Sequence, residues 1–107
     1  MLINESYTDS NGVAHWPGAL VGSKLDYGID WFVWLTNEND TFVSMMWDDL
    51  PAGLTSDFET NSENISYINI EANEPGSYCV SGIMESIENG HSQNLAVKIY
   101  LEVEDTC

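Results

Sequence analysis

The chain has 107 residues, 43% of them hydrophobic, and eighteen acids stand against only Lys24 and Lys98, for a net charge of −16. That length suits one compact domain, and that apolar fraction excludes a disordered chain in spite of the charge. Free nucleic acid is excluded as a ligand because phosphate neutralisation needs Lys and Arg, and an anionic membrane surface is excluded for the same reason.

Two further exclusions concern targeting. No window holds the roughly 18 consecutive apolar residues of a membrane-spanning helix. The N-terminal MLINESYTDS is acidic and polar, without the basic and apolar regions of a secretory signal, so synthesis in a cytoplasm is expected. Cys79 and Cys107 could form one disulfide, but that compartment favours free thiols.

Residues 1–23 are rich in turn formers, with Gly12, Pro17, Gly18 and Gly22. They are expected to form an irregular N-terminal arm with at most one or two short strands, ahead of a domain over 24–107. From Lys24 period-two alternation begins. Leu25, Tyr27, Ile29 and Trp31 fall on one face and Asp26, Gly28 and Asp30 on the other, which is the pattern of a half-buried strand. The run Phe32–Leu35 is continuously apolar, and a helical turn and a strand bend both remain open there. TNENDT (36–41) follows as a turn.

Thr41–Trp47 resumes alternation, with Val43, Met45 and Trp47 on the expected inner face and Phe42, Ser44 and Met46 on the outer one. LPAGLT marks a turn, and SDFETNSEN reads as a polar loop. Ile68 and Ile70 share a strand face. NEPG (73–76) is a turn. Tyr78, Val80, Gly82 and Met84 then alternate with Cys79, Ser81, Ile83 and Glu85, and Asn89-Gly90 signals a hairpin. In the last strand Leu95, Val97, Ile99, Leu101 and Val103 point one way, while Ala96, Lys98, Tyr100, Glu102 and Glu104 point the other. Short strands at this spacing, about seven in all, predict an all-β fold: an immunoglobulin-like antiparallel β-sandwich. Its expected core is Trp31, Trp47, Tyr78, Leu95, Val97, Ile99 and Leu101.

Three blocks in order carry a resemblance: LDYGIDWFVWL, then WDDLPAGLT, then EPGSYCV…NLAVKIYLEVED. Over residues 24–105 the chain resembles a group of small structural proteins of tailed bacteriophages with one immunoglobulin-like domain. Leu25, Asp26, Tyr27, Asp30, Trp31, Trp34 and Leu35 match the first block of that group. Trp47 and Pro51 to Thr55 match the second, and Gly76, Tyr78, Val103 and Asp105 the third. The chain departs from the pattern in its final hairpin, where His91, Ser92 and Gln93 replace basic residues and Glu102 stands in place of Arg. The resemblance implies a virion component made in the host bacterial cytoplasm. It would be a fiber-to-tail adaptor present in several copies, held by protein–protein contacts with tail, fiber or capsid subunits. A capsid decoration protein is the second expectation within that class; an acidic DNA mimic and a carbohydrate-binding module lie further off.

Catalytic chemistry is not expected. His15 and His91 sit in turn-rich segments without a nucleophile elbow. Adjacent carboxylates such as Asp48-Asp49 point to opposite faces of a strand. Cys79, Cys107, His15 and His91 lack zinc-ligand spacing. Asp9-Ser-Asn-Gly and Asn37-Glu-Asn-Asp offer oxygens but lack the ligand order of a dedicated calcium loop, so neither metal nor cofactor is expected. Trp16, Leu20, Trp34 and Tyr100 are the expected partner-facing residues, because Trp and Tyr are enriched at interface hot spots.

Overall fold

A computed structural model describes residues 4–31, 35, 41–62, 64–88 and 90–105. Within them ten strands are β1 (Asn4–Glu5), β2 (Tyr7–Thr8), β3 (Ala14–His15), β4 (Ala19–Leu20), β5 (Lys24–Asp30), β6 (Thr41–Trp47), β7 (Leu54–Ser62), β8 (Ile65–Ala72), β9 (Gly76–Glu88) and β10 (His91–Glu104). They form two sheets, ordered β1-β5-β8-β7 and β2-β3-β10-β9-β6, with β4 also on β10.

That order is the A-B-E-D and C-F-G arrangement of a constant-type immunoglobulin sandwich, with β3 and β4 running beside the G-position strand β10. The expected all-β sandwich is therefore the fold. Two features depart from a purely antiparallel one: β1 is parallel to β5, and β3 and β4 are parallel to β10. The strand count is higher than expected because four two-residue strands lie before Lys24.

The B–F disulfide of antibody domains has no counterpart between β5 and β9: the chain places buried Val80 two residues after Tyr78, and the intervening Cys79 is exposed and free. The other corner device is present. Tyr78, near the start of β9, donates its phenolic hydrogen to the Glu74 carbonyl at 2.7 Å, which is the tyrosine corner of this fold class. Gly53 packs under that ring: its φ is +101°, and a Cβ there would collide with the Tyr78 hydroxyl. Tyr78→Phe leaves the ring packing in place and removes one bond, so a loss of about 1 kcal/mol is expected from urea denaturation.

The sequence misassigned three stretches. Residues 54–62, expected as a turn and polar loop, form β7. As an edge strand it buries only Leu54, so neither face needed the apolar alternation that announces a strand. In β6 the register shifts between Phe42 and Ser44. One extra residue in a strand reverses the faces beyond it. Phe42 and Met45 are consequently buried, while Val43 is exposed and Trp47 only half-buried against the core. In β10, Val97, Ile99, Leu101 and Val103 are buried as expected, but Leu95 is 44% exposed. It pairs with Met84, which is buried on the inner side, but among the described residues β3 and β4 flank β10 only from Tyr100 onward, so residues 91–96 run along an open edge and are all exposed.

The core joins both sheets through Tyr27, Ile29, Trp31, Ile68 and Ile70 on one side and Tyr78, Val80, Met84, Val97, Ile99 and Leu101 on the other. Trp31 stacks on Phe42 with centroids 5.8 Å apart. Its indole N–H donates to Ser66 Oγ at 2.7 Å, and that hydroxyl donates to Asn61 Oδ1 at 2.6 Å. The buried indole and the buried Ser66 hydroxyl are thus both satisfied, as burial requires.

Residues 4–23, expected as an irregular arm, pack onto the sandwich. Trp16 is 2% exposed and packs on Tyr27 and Trp47, 5.0 and 5.8 Å between ring centroids. Its backbone N–H donates to the Tyr100 carbonyl in one sheet, and its indole N–H donates to the Gly28 carbonyl in the other. The segment closes one side of the sandwich. The opposite side is flanked by the edge strands β6 and β7.

Candidate interaction face

The outer face of the larger sheet carries the features that the core does not explain. Across β6, β9 and β10, Met46 lies beside Ile83 and Ile83 beside Ala96. The neighbouring row is Ser44, Glu85 and Asn94. Met46 is 74% exposed and Ile83 48%. Met46, Ile83, Ser44, Glu85 and Asn94, with Trp47 and Asp48, line a shallow depression of about 350 Å³. Folding covers the two adjacent apolar side chains, Met46 and Ile83, only in part, and contiguous exposed apolar surface is where interaction sites are sought.

The rim is acidic. Asp48 accepts a hydrogen bond from Ser81 Oγ at 2.8 Å, and Glu85 accepts one from Ser92 Oγ at 3.0 Å. Neither lysine of the chain reaches them. Lys24 pairs with Asp57 beside β7 at 2.6 Å, and Lys98 lies over the Tyr100 ring, 5.8 Å from its centroid.

Further along the same face the rings of Tyr7, His15 and Tyr100 form a row across β2, β3 and β10, with centroids 5.6 and 5.9 Å apart. Asp9 organises this end. Its Oδ1 accepts the backbone N–H groups of Asn11 and Val13, and its Oδ2 contacts His15 Nε2 at 2.8 Å. The Asp9-Ser-Asn-Gly segment is thus a self-capped turn whose carboxylate oxygens both have partners within the chain. The Val13 N–H, followed by the His15 contact, holds the Asp9 carboxyl below its ordinary value. A depressed carboxylate stabilises the fold above its unfolded pKa and loses that contribution as pH falls through its folded pKa. The Val13 amide is therefore expected to stay protected from exchange at neutral pH and to lose protection only below about pH 4, as NMR exchange rates would read.

The four expected interface residues separate. Trp16 is in the core, because a ring of its size bridges the two sheets, and it cannot present a surface. Tyr100 is half-buried in the middle of the outer face, opposite His15. Leu20 is 50% exposed and pairs with Glu104 at the far end of β10. Trp34 lies outside the described residues, as do Cys107 and the Asn37–Asp40 oxygens. Leu20 and Tyr100 thus share a sheet but not one patch. Sequence reasoning passed over Met46 and Ile83, although the signal was there: both were apolar residues assigned to the polar side of an alternating strand.

Among the described residues no group of three or more His, Cys, Asp or Glu side chains could hold a metal ion, and no helix is long and apolar enough to cross a membrane. No protein-family model and no curated protein matches the chain.

Proposed function

We propose that this chain is a non-enzymatic assembly domain of a tailed-phage virion, an adaptor that joins fiber to tail by protein–protein contact through the outer face of its larger sheet. The observation that carries the reading is the Met46–Ile83 pair, exposed and adjacent on a face rimmed by Asp48 and Glu85. An apolar centre within a polar rim is the anatomy of a protein interface. The net charge of −16 disfavours a second copy of the chain as the occupant and favours a partner carrying basic groups. The ordered LDYGIDW, PAGLT and Gly76-Ser-Tyr78 blocks supply the phage component of the reading.

Electron cryomicroscopy of purified virions tests it. Density for the sandwich is expected at the tail, between fiber and tail body. Copies arrayed on the head facets would replace the adaptor reading with capsid decoration. Recovery only with a host DNA-binding enzyme, reversed by salt, would replace both with DNA mimicry.

A further inference from the structure

Building on that assembly reading, we infer that the free edge of β6 is a strand-addition site for an extended segment of a partner protein with one apolar residue flanked, two positions to either side, by Lys or Arg. β6 ends the larger sheet, and among the described residues no strand pairs with its outer edge. Its N–H and C=O groups on that side are a template for another chain.

The side chains on the outer face set what that chain must carry. In a strand, residues two apart share a face. A strand laid beside β6 places successive outward residues next to Ser44, Met46 and Asp48. The central one covers Met46 and reaches Ile83, so it is apolar. The one beside Asp48 meets a carboxylate whose only hydrogen-bond donor among the described residues is the Ser81 hydroxyl. The one beside Ser44 looks across it to Glu85, its register partner on β9. Adjacent strands lie about 4.8 Å apart, so Glu85 is within the span of a long basic side chain laid over Ser44. Both flanking positions thus call for a cation, and the chain has no lysine nearby to supply one.

The other long edge lacks this arrangement. On β7, Asp57 is already paired with Lys24, and an irregularity between Thr55 and Phe58 breaks the register. A second copy of the chain would set Asp48 and Glu85 against its own acids. The bulge at Val43 and the strand's end at Trp47 bound the backbone edge of β6 to Ser44–Trp47, with the Asp48 side chain just beyond it, a short site suited to a peptide-like segment.

The probe is a short synthetic peptide with one central leucine, lysines two residues to either side and threonine elsewhere, titrated into the full chain with amide exchange recorded. New protection is expected at β6 amides within 44–47. Affinity should fall by about tenfold or more in Met46→Asp and when glutamates replace the peptide lysines, and should hold in Phe58→Asp on β7. Met46 is too exposed for its replacement to unfold the domain, and circular dichroism of the variant confirms that. Protection on β7 instead, equal binding of the glutamate peptide, or no binding of the lysine peptide overturns the inference. None of these outcomes bears on where the protein sits in a virion, which the particle maps decide alone.

Discussion

Trp16→Ala is expected to cost about 3–5 kcal/mol, the range for removing a large buried aromatic. That is about a fifth or more of the stability of an ordinary domain, about 5–15 kcal/mol. Three losses act together. The ring packs between Tyr27 and Trp47 and is nearly sealed from solvent, so truncation leaves a cavity that neither neighbour can fill without moving. The Gly28 carbonyl loses its indole donor. The crossing from one sheet to the other then rests on weaker ties, such as Trp16 N–H to Tyr100, Ser6 N–H to Gly28 and the Asn4 side-chain amide to the Asp26 carbonyl. Trp16→Phe should recover much of the packing while still forfeiting the hydrogen bond, and so fall between wild type and Trp16→Ala in a guanidinium titration. If residues 1–23 were an appendage, neither substitution would shift the midpoint. A truncation beginning at Lys24 would then fold as well as the full chain, whereas here it should be severely destabilised.

The contrast between the two ends of the chain shows what sequence periodicity can and cannot convey. Val97, Ile99, Leu101 and Val103 were legible because a strand with one dry face and one wet face writes period two into its residues. So were Tyr27 and Ile29 in β5 with Trp31 just past its end, Ile68 and Ile70 in β8, and Tyr78, Val80 and Met84 in β9. Two-residue strands are too short to write any period. β1, β3 and β4 form because β5 and β10 offer them edges, and β2 because β3 does, a tertiary cause absent from their own sequence. β7 was missed for the opposite reason: it is long, but both faces are wet, and only its pairing with β8 makes it a strand. Leu95 kept the correct phase on an end of β10 that β3 and β4 do not flank, and phase reports which side a residue takes, not whether anything covers it.

The candidate face was half legible. Its residues were assigned to the outer side correctly, yet Trp and Tyr drew attention as anchors while Met46 and Ile83 did not. Large aromatics serve cores as readily as interfaces, and Trp16 went to the core. Where a residue stands against its own strand's pattern was the better signal. Ile83 breaks the polar side of β9, and Met46 stands directly beside it once the Val43 bulge is taken into account.

Gly82→Ala is expected to destabilise the domain by about 1–3 kcal/mol, the range for overpacking a well-packed core, with a fall in Tm of about 4–8 °C per kcal/mol for a domain near this size. The cause is proximity and not backbone strain, since Gly82 is not among the residues with positive φ. It pairs with Trp47 on the inner side of β9. A Cβ added there would fall inside contact distance of the Met46 carbonyl oxygen and lie 3.1 Å from Trp47 Cα. A side-chain neighbour such as the Met45 methyl could swing away; a carbonyl fixed in a strand cannot. The only relief is for β6 to withdraw from β9 near Met46. That movement separates Met46 from Ile83, so affinity for the lysine–leucine peptide should fall along with stability. Ser81→Ala, one residue away, removes only the hydroxyl bonded to Asp48 and should leave the thermal midpoint nearly unchanged. A Gly82→Ala protein with unaltered Tm would mean that β6 is not seated on β9 as closely as described, and the depression beside Met46 would lose its wall.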